Sequence, residues 1–378
     1  MTIGAASTGF GTALLAVFRR HGYGLAEPGV LQPAGIFLDV SGEDLRKRMF
    51  MTQDGDGRDM CLRPEFTIPV CRDHLATVQP GEAGSYCYLG PVFRMRSGEA
   101  GEFWQAGIES LGRDDRQAAD TEVLTVTCEA LAEAGLAQPD IRLGDVALLK
   151  AIIRGLNVAS APARRLMRAV SAGKGAGAVA ALDVAAPTGS AAQAGLIAAL
   201  QGQDPKAARG FVEDVLSIAG ISTVGGRTAG DIASRFLARA SEQQNISPEV
   251  RAIISQALDI HDDPDACALA LRKLAAAASL DLDAELDAFE ARTGFIAARG
   301  LDVGAMRFST SFARNLDYYT SFIFEVHDPA SAMSASVQPK PVAGGGRYDT
   351  LLGRLGAAEP MPAVGASIWL DRLGRRPA

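Results

Sequence analysis

The sequence predicts an α+β fold, with antiparallel strands drawn from both ends of the chain and a long helical stretch between them. Three observations carry this. Tyr88 to Gly112 reads as two half-buried strands around a polar loop containing Ser97, Gly98 and Gly101, which is hairpin chemistry. Arg48 to Gln53 and Arg58 to Arg63 are joined by Asp54-Gly55-Asp56-Gly57, and Asp-Gly pairs favour the positive-φ turn of a hairpin. From about 147 to about 298 the composition shifts to Ala and Leu in helix-like blocks. Strands and helices segregated along a chain in this way are the mark of the α+β class. The 378 residues, 48% of them hydrophobic, suffice for a substantial core.

In chain order, Thr8 to His21 reads as an amphipathic helix closed by Gly22. Its apolar run, Ala13 to Phe18, is too short to cross a membrane and lacks a basic leading region. Tyr23 to Phe37, with Pro28 and Pro33, is an extended connection. The Asp-Gly-Asp-Gly turn lacks the later ligands and closing glutamate of a calcium loop. Pro64 breaks the next strand, and a helix runs from Thr67 to Leu75; Glu65 and Thr67 at its start suit the free amides and the dipole of a helix N-terminus. On the central hairpin, Arg94 and Glu109 are ionisable groups on otherwise interior-compatible strands, so each needs a polar partner or a ligand.

Ala118 to Ala134 carries Val123, Leu124, Val126 and Leu131 at helical spacing and closes at Gly135, and Ile141 to Gly144 is one more strand. The helical stretch contains blocks at Ala207 to Ala219, Ile232 to Gln243 and Ala266 to Ser279. Ser171 to Ala178, SAGKGAGA, lacks the Gly-Lys-Ser/Thr spacing of a phosphate cradle and reads as a loop. Strands return at Met306 to Phe312 and Phe322 to His327, with a polar turn, Arg314-Asn315-Leu316-Asp317-Tyr318-Tyr319, between them. Taken alone, that turn is a surface hairpin with aromatic packing.

A net charge of −7 builds in no bulk attraction to nucleic acid. Cys61, Cys71, Cys87, Cys128 and Cys267 show no zinc spacing, and the odd count fits a reducing, cytoplasmic setting. His21, His74, His261 and His327 fall in unrelated elements, so no nucleophile–base arrangement is visible. We expect no catalytic residue, metal, cofactor, nucleic acid or membrane.

Gly90 to Arg94 (GPVFR) and Gln105 to Glu109 (QAGIE) resemble motif 2 of the class II aminoacyl-tRNA synthetases, and specifically of histidyl-tRNA synthetase. Gly22 to Pro28 (GYGLAEP) resembles motif 1, which lies at that family's dimer interface. Leu62 to Glu65 (LRPE) with Thr67 resembles the segment that binds the substrate's α-amino group, and residues 314 to 319 resemble the RGLDYY signature. Ala343 to Asp349 and Pro362 to Arg372 match GGRYD and motif 3. The resemblance covers about 1 to 145 and 300 to 372. It implies a six-stranded antiparallel sheet flanked by helices, a synthetase-like core at 1–146 and 299–378, an all-helical insertion at 147–298, and no anticodon-binding domain. It further implies a histidine pocket made by Glu65, Thr67, Arg94, Gln105, Glu109, Arg314, Tyr318 and Tyr319. Phe66 and Asn315 stand where the family usually has glycine, and a side chain at 66 narrows the pocket.

The nucleotide side departs from that pattern. Arg96 replaces a glutamate that reads adenine, Glu99 and Glu102 replace loop cations that would neutralise a triphosphate, and Trp369 replaces a motif 3 glycine that makes room for adenosine. A retained amino-acid pocket beside a lost nucleotide site resembles the histidyl-tRNA synthetase paralogues that serve as regulatory subunits of the short-form ATP phosphoribosyltransferase. That resemblance implies a homodimer that joins the catalytic subunit in a hetero-octamer, activates it in the first step of histidine biosynthesis, and confers feedback inhibition by L-histidine. Two alternatives remain. A minimal active histidyl-tRNA synthetase would have to bind ATP despite Trp369, and a repurposed paralogue would act through another partner.

Overall fold

The computed structural model describes residues 4–40, 43–182, 246–314, 318–332 and 340–373, with isolated positions between 210 and 228. Six longer strands form its centre: β1 (Gly84–Phe93), β2 (Glu102–Leu111), β3 (Asp140–Asp145), β4 (Phe322–His327), β5 (Ala343–Arg347) and β6 (Ala363–Trp369). All neighbours are antiparallel, in the order β1-β2-β6-β5-β4-β3, which is the six-stranded sheet implied by the resemblance. Short edge strands extend it to nine: Gly24–Leu25 lies parallel to β1, Arg307–Ser309 parallel to β3, and His261–Asp262 lies outermost. A separate three-stranded sheet holds Leu31–Pro33, Met51–Gln53 and Asp59–Leu62. Its predicted turn forms because Asp54 Oδ1 accepts the Asp56 and Arg58 amides at 3.0 and 2.9 Å while Gly57 adopts φ +77°.

The helices Gly4–Arg20 and Arg116–Glu133 bury Leu14, Phe18, Val123, Leu124 and Leu131 in the main core with Ile108, Phe324 and Ile368 of the sheet. Packing divides the 147–298 stretch differently from composition. Pro264–Ala278, started by Asp263 accepting the Ala266 amide at 2.9 Å, and Asp283–Ala298 contribute Leu271, Leu274, Phe289 and Ile296 to that same main core. A second cluster, including Leu149, Ile153, Leu166, Val170, Ile254 and Leu258, gathers Val146–Gly155, Ser160–Ser171 and Pro248–Leu258. Among the described residues the stretch is helical apart from His261–Asp262 and the paired Thr223–Val224 and Arg227–Thr228. The expected loop at 171–178 is only a short turn, because Gly175–Leu182 winds into a 3-10 helix that buries Ala178 and Leu182. The blocks expected at 207–219 and 232–243 fall almost wholly outside the described residues.

A buried ionic network ties the returning helix to the sheet. Arg292 donates to Asp120 and Asp145, both at 2.9 Å, and Arg347 donates to Asp120 at 2.7 Å. All four are buried, so each charge depends on its partners. The five cysteines are buried and free, and no helix among the described residues is long and apolar enough to cross a membrane.

Candidate functional site

A cavity of about 330 Å³ opens over the face of β2, β5 and β6, a volume near the lower end for ligand pockets, about 300–1,000 Å³. Seven of the eight expected histidine-site residues line it: Glu65, Thr67, Arg94, Gln105, Arg314, Tyr318 and Tyr319. Glu109 lies immediately beneath, fully buried. Its Oε1 accepts from Thr67 Oγ1 at 2.6 Å and from the Tyr88 hydroxyl at 3.3 Å, and its Oε2 bonds to the Tyr348 hydroxyl. Burial pushes the carboxyl pKa up to about 8, so at neutral pH it is mostly protonated and one of these bonds reverses.

Glu65 has two tasks. It caps the helix Thr67–Thr77 by accepting the Thr67 amide at 2.7 Å and the Ile68 amide at 2.9 Å, and it faces the cavity. Burial raises its pKa, opposed by those amides and by Arg94. Arg94 donates Nε to the Pro64 carbonyl at 2.6 Å, and burial lowers its pKa to about 10. Arg314 donates Nη1 to the Phe324 carbonyl at 3.0 Å and lies 3.9 Å from Glu325, whose carboxylate also meets His327 Nε2 at 3.2 Å.

Glycines let these groups reach the cavity. A Cβ at Gly344 would sit 1.3 Å from Arg314 Nη1, and one at Gly365 1.6 Å from Glu109 Oε2. Phe66, expected to narrow the pocket, instead stacks on Tyr88 with centroids 4.3 Å apart and is absent from the lining, since it is held under the Arg63 guanidinium.

Five buried polar atoms on residues that line the cavity have no partner among the described residues: both ends of the Gln105 amide, Arg314 Nε, Trp369 Nε1 and Arg372 Nε. Buried polar groups are nearly always bonded, so this concentration marks where a polar ligand would bond.

The side where the resemblance would place a nucleotide is packed with this chain's own side chains. Trp369 packs with Phe66, Val70, Tyr88, Val92 and Phe103 and presents one edge to the cavity. Arg372 stacks on its indole, 4.3 Å from the centroid, and donates to the Pro341 carbonyl at 2.7 Å. Arg96 is held by Glu99 at 3.0 Å and Asp371 at 3.1 Å, and Glu99 also pairs with Lys340, which keeps the Glu99 carboxyl below its usual pKa. Of the two loop carboxylates, Glu99 is therefore already neutralised by this chain's own cations. Tyr88, Tyr348, Glu325 and Lys340 escaped the sequence reading; the only cue for Glu325 was a charge on an apolar strand. Asn315 and Asp317 lie outside the described residues.

The fold is that of the histidyl-tRNA synthetase class, and a histidyl-tRNA synthetase family model matches residues 6–217 and 230–373. The chain is 40% identical over 368 residues to an ATP phosphoribosyltransferase regulatory subunit of Mesorhizobium japonicum, covering 96% of this chain and 95% of that protein. It is 39% identical over 359 residues to the one of Brucella canis, covering 92% of each. Among solved structures, an ATP phosphoribosyltransferase regulatory subunit/histidyl-tRNA synthetase from Bacillus halodurans superposes with TM-score 0.68 at 18% identity, over 97% of this chain and 78% of that one. A histidine–tRNA ligase subunit from Alicyclobacillus acidocaldarius gives 0.58 at 24% identity, over 99% and 94%. The chain thus belongs to the ATP phosphoribosyltransferase regulatory subunits, a family of regulatory subunits rather than enzymes built on the histidyl-tRNA synthetase fold.

Proposed function

We propose that the chain is a histidine sensor: it binds free L-histidine in the β2–β5–β6 cavity and transmits its occupancy to an ATP phosphoribosyltransferase catalytic subunit. The observation that carries this is the unpartnered Gln105 amide and Arg314 Nε in a cavity that also holds Glu65 and Thr67. A zwitterion fits that set. Glu65 and Thr67 suit an ammonium, Arg314 and Arg94 a carboxylate, and the amide with the Tyr318 and Tyr319 rings an imidazole. In this reading the partner is the catalytic subunit, which the chain activates in a hetero-octamer in the cytoplasm and which histidine inhibits through it.

The exposed surface supports a homodimer through the motif 1 side. Six of the eight exposed large hydrophobics among the described residues, Leu25, Val30, Leu31, Phe50, Met51 and Met95, sit on or beside the three-stranded sheet. An apolar patch of this kind on a soluble chain favours a protein contact.

The test has two arms. Calorimetry of the isolated protein should give saturable L-histidine binding, and phosphoribosyl-ATP formation by the catalytic subunit should rise on adding this chain and fall again with histidine. No binding removes the sensor. Inhibition that is unchanged without this chain does the same, and histidine-dependent pyrophosphate–ATP exchange at a synthetase's rate would favour the enzyme alternative instead.

A further inference from the structure

A second cavity, of about 860 Å³, lies between the helices Val146–Gly155 and Ser160–Ser171 and the core. One face of each helix lines it: Val146, Lys150, Ile153 and Arg154 on the first, Ser160, Ala163, Arg164, Met167, Arg168 and Ser171 on the second. The cations are Lys150, Arg154, Arg164, Arg168, Arg314 and Arg354, and no carboxylate lines it among the described residues. This runs against a chain whose net charge is −7.

The arrangement costs stability without a ligand. Lys150 with Arg154, and Arg164 with Arg168, are like charges at i,i+4, a spacing that is unfavourable on a helix. Arg154 reaches Glu285 at 2.9 Å outside the lining and Arg164 has an interaction of its own, so each pair is partly offset. Five guanidinium groups and an ammonium exceed what one carboxylate needs, and planar guanidinium forks match phosphate oxygens. The helix Ser160–Ser171 also starts here, with no side chain capping its first amides. Between the cations, Ile153 and Met167 offer apolar surface for the rest of a small molecule.

We propose that this cavity binds a phosphorylated small molecule, a nucleotide or sugar phosphate, as a second ligand of the subunit. Arg314 and Tyr319 line both cavities, so the phosphate site and the amino-acid site share a wall. The proposal stands on the cavity's own charges and does not depend on what fills the first cavity.

The experiment is calorimetric titration of the full chain with inorganic pyrophosphate, AMP and ribose 5-phosphate. At least one should saturate, with the organic phosphates binding more tightly than pyrophosphate if the apolar surface is used. The double variant Lys150→Glu/Arg168→Glu should weaken that binding more than tenfold, and Lys150→Gln severalfold. Arg58→Glu, on the remote Asp-Gly hairpin, should leave it unchanged, and circular dichroism melts should show both cavity variants folded. No saturation by any of the three, or equal affinity in the double variant, overturns the proposal. So does binding of oligoglutamate with no binding of the phosphates, which would make the groove a seat for an acidic polypeptide.

Discussion

The buried carboxyl of Glu109 leads to a measurable trade between stability and recognition. Its pKa is raised by burial from 4.5 to about 8, so the folded protein holds this proton far more tightly than the unfolded chain does. A group whose folded pKa is raised favours folding at low pH, and that contribution is lost as pH climbs from about 4.5 towards 8. At pH 7 the unfolded chain has already ionised it, across roughly 2.5 pH units at about 1.36 kcal/mol each, so wild type has given up about 3 kcal/mol that Glu109→Gln retains. The variant keeps the shape and can still bond to the Thr67 and Tyr348 hydroxyls. Urea unfolding of both proteins at pH 6, 7 and 8 reads the effect directly. The stability gap in favour of the variant should widen by about 1 kcal/mol between pH 6 and pH 7, continue to widen towards pH 8, and level off above it. A gap that stays constant over this range would refute the assignment of a protonated buried carboxyl.

The same proton should appear on binding: a cationic ligand group above Thr67 favours ionised Glu109, so L-histidine binding at pH 7 should release a proton, read as a binding enthalpy that differs between phosphate and Tris buffers; buffer-independent enthalpies would count against it. Arg292→Ala leaves Asp145 buried without its guanidinium and Asp120 with only Arg347, a loss of about 3–5 kcal/mol in denaturant unfolding, and a loss under about 1 kcal/mol would mean that the network contributes little. Gly365→Ala places a methyl 1.6 Å from Glu109 Oε2, so histidine binding should fall below detection in calorimetry, whereas wild-type affinity would show that Glu109 has no bearing on the site. Met51→Asp puts a charge in the exposed apolar patch and should shift sedimentation velocity from dimer to monomer; an unchanged dimer would place the contact elsewhere.

Much of the fold was legible because it rests on local rules. Phe322–His327 was bounded to the residue by its apolar run, and the helix at Pro264–Ala278 was found within two residues by its Ala- and Leu-rich spacing. The cavity residues were found through motif resemblance, and seven of them do meet in one place. What stayed hidden depends on long-range register. Glu109 meets Tyr348 because β2 pairs with β6 at Gly365, a contact across 239 residues that no local pattern carries. Phe66 read as an intruder because a sequence does not reveal which way a residue just before a helix will turn. The helices of the 147–298 stretch share one composition yet serve two cores, since composition reports burial and not against what.

The sheet's strand order also sets a timetable for synthesis. β2 leaves the ribosome by Leu111, but its second neighbour begins only at Ala363, and β3 ends at Asp145 while its neighbours begin at Arg307 on one side and Phe322 on the other. At about 5–20 residues per second, the open edge of β2 waits roughly 13–50 s and the later-paired edge of β3 about 9–35 s for a partner. During that interval three rows of unpaired amides and carbonyls, one on β2 and two on β3, await their partners on the nascent chain. Unpaired strand edges invite pairing between molecules, so this protein's yield in a cell is tied to translation speed and to chaperones that shield those edges.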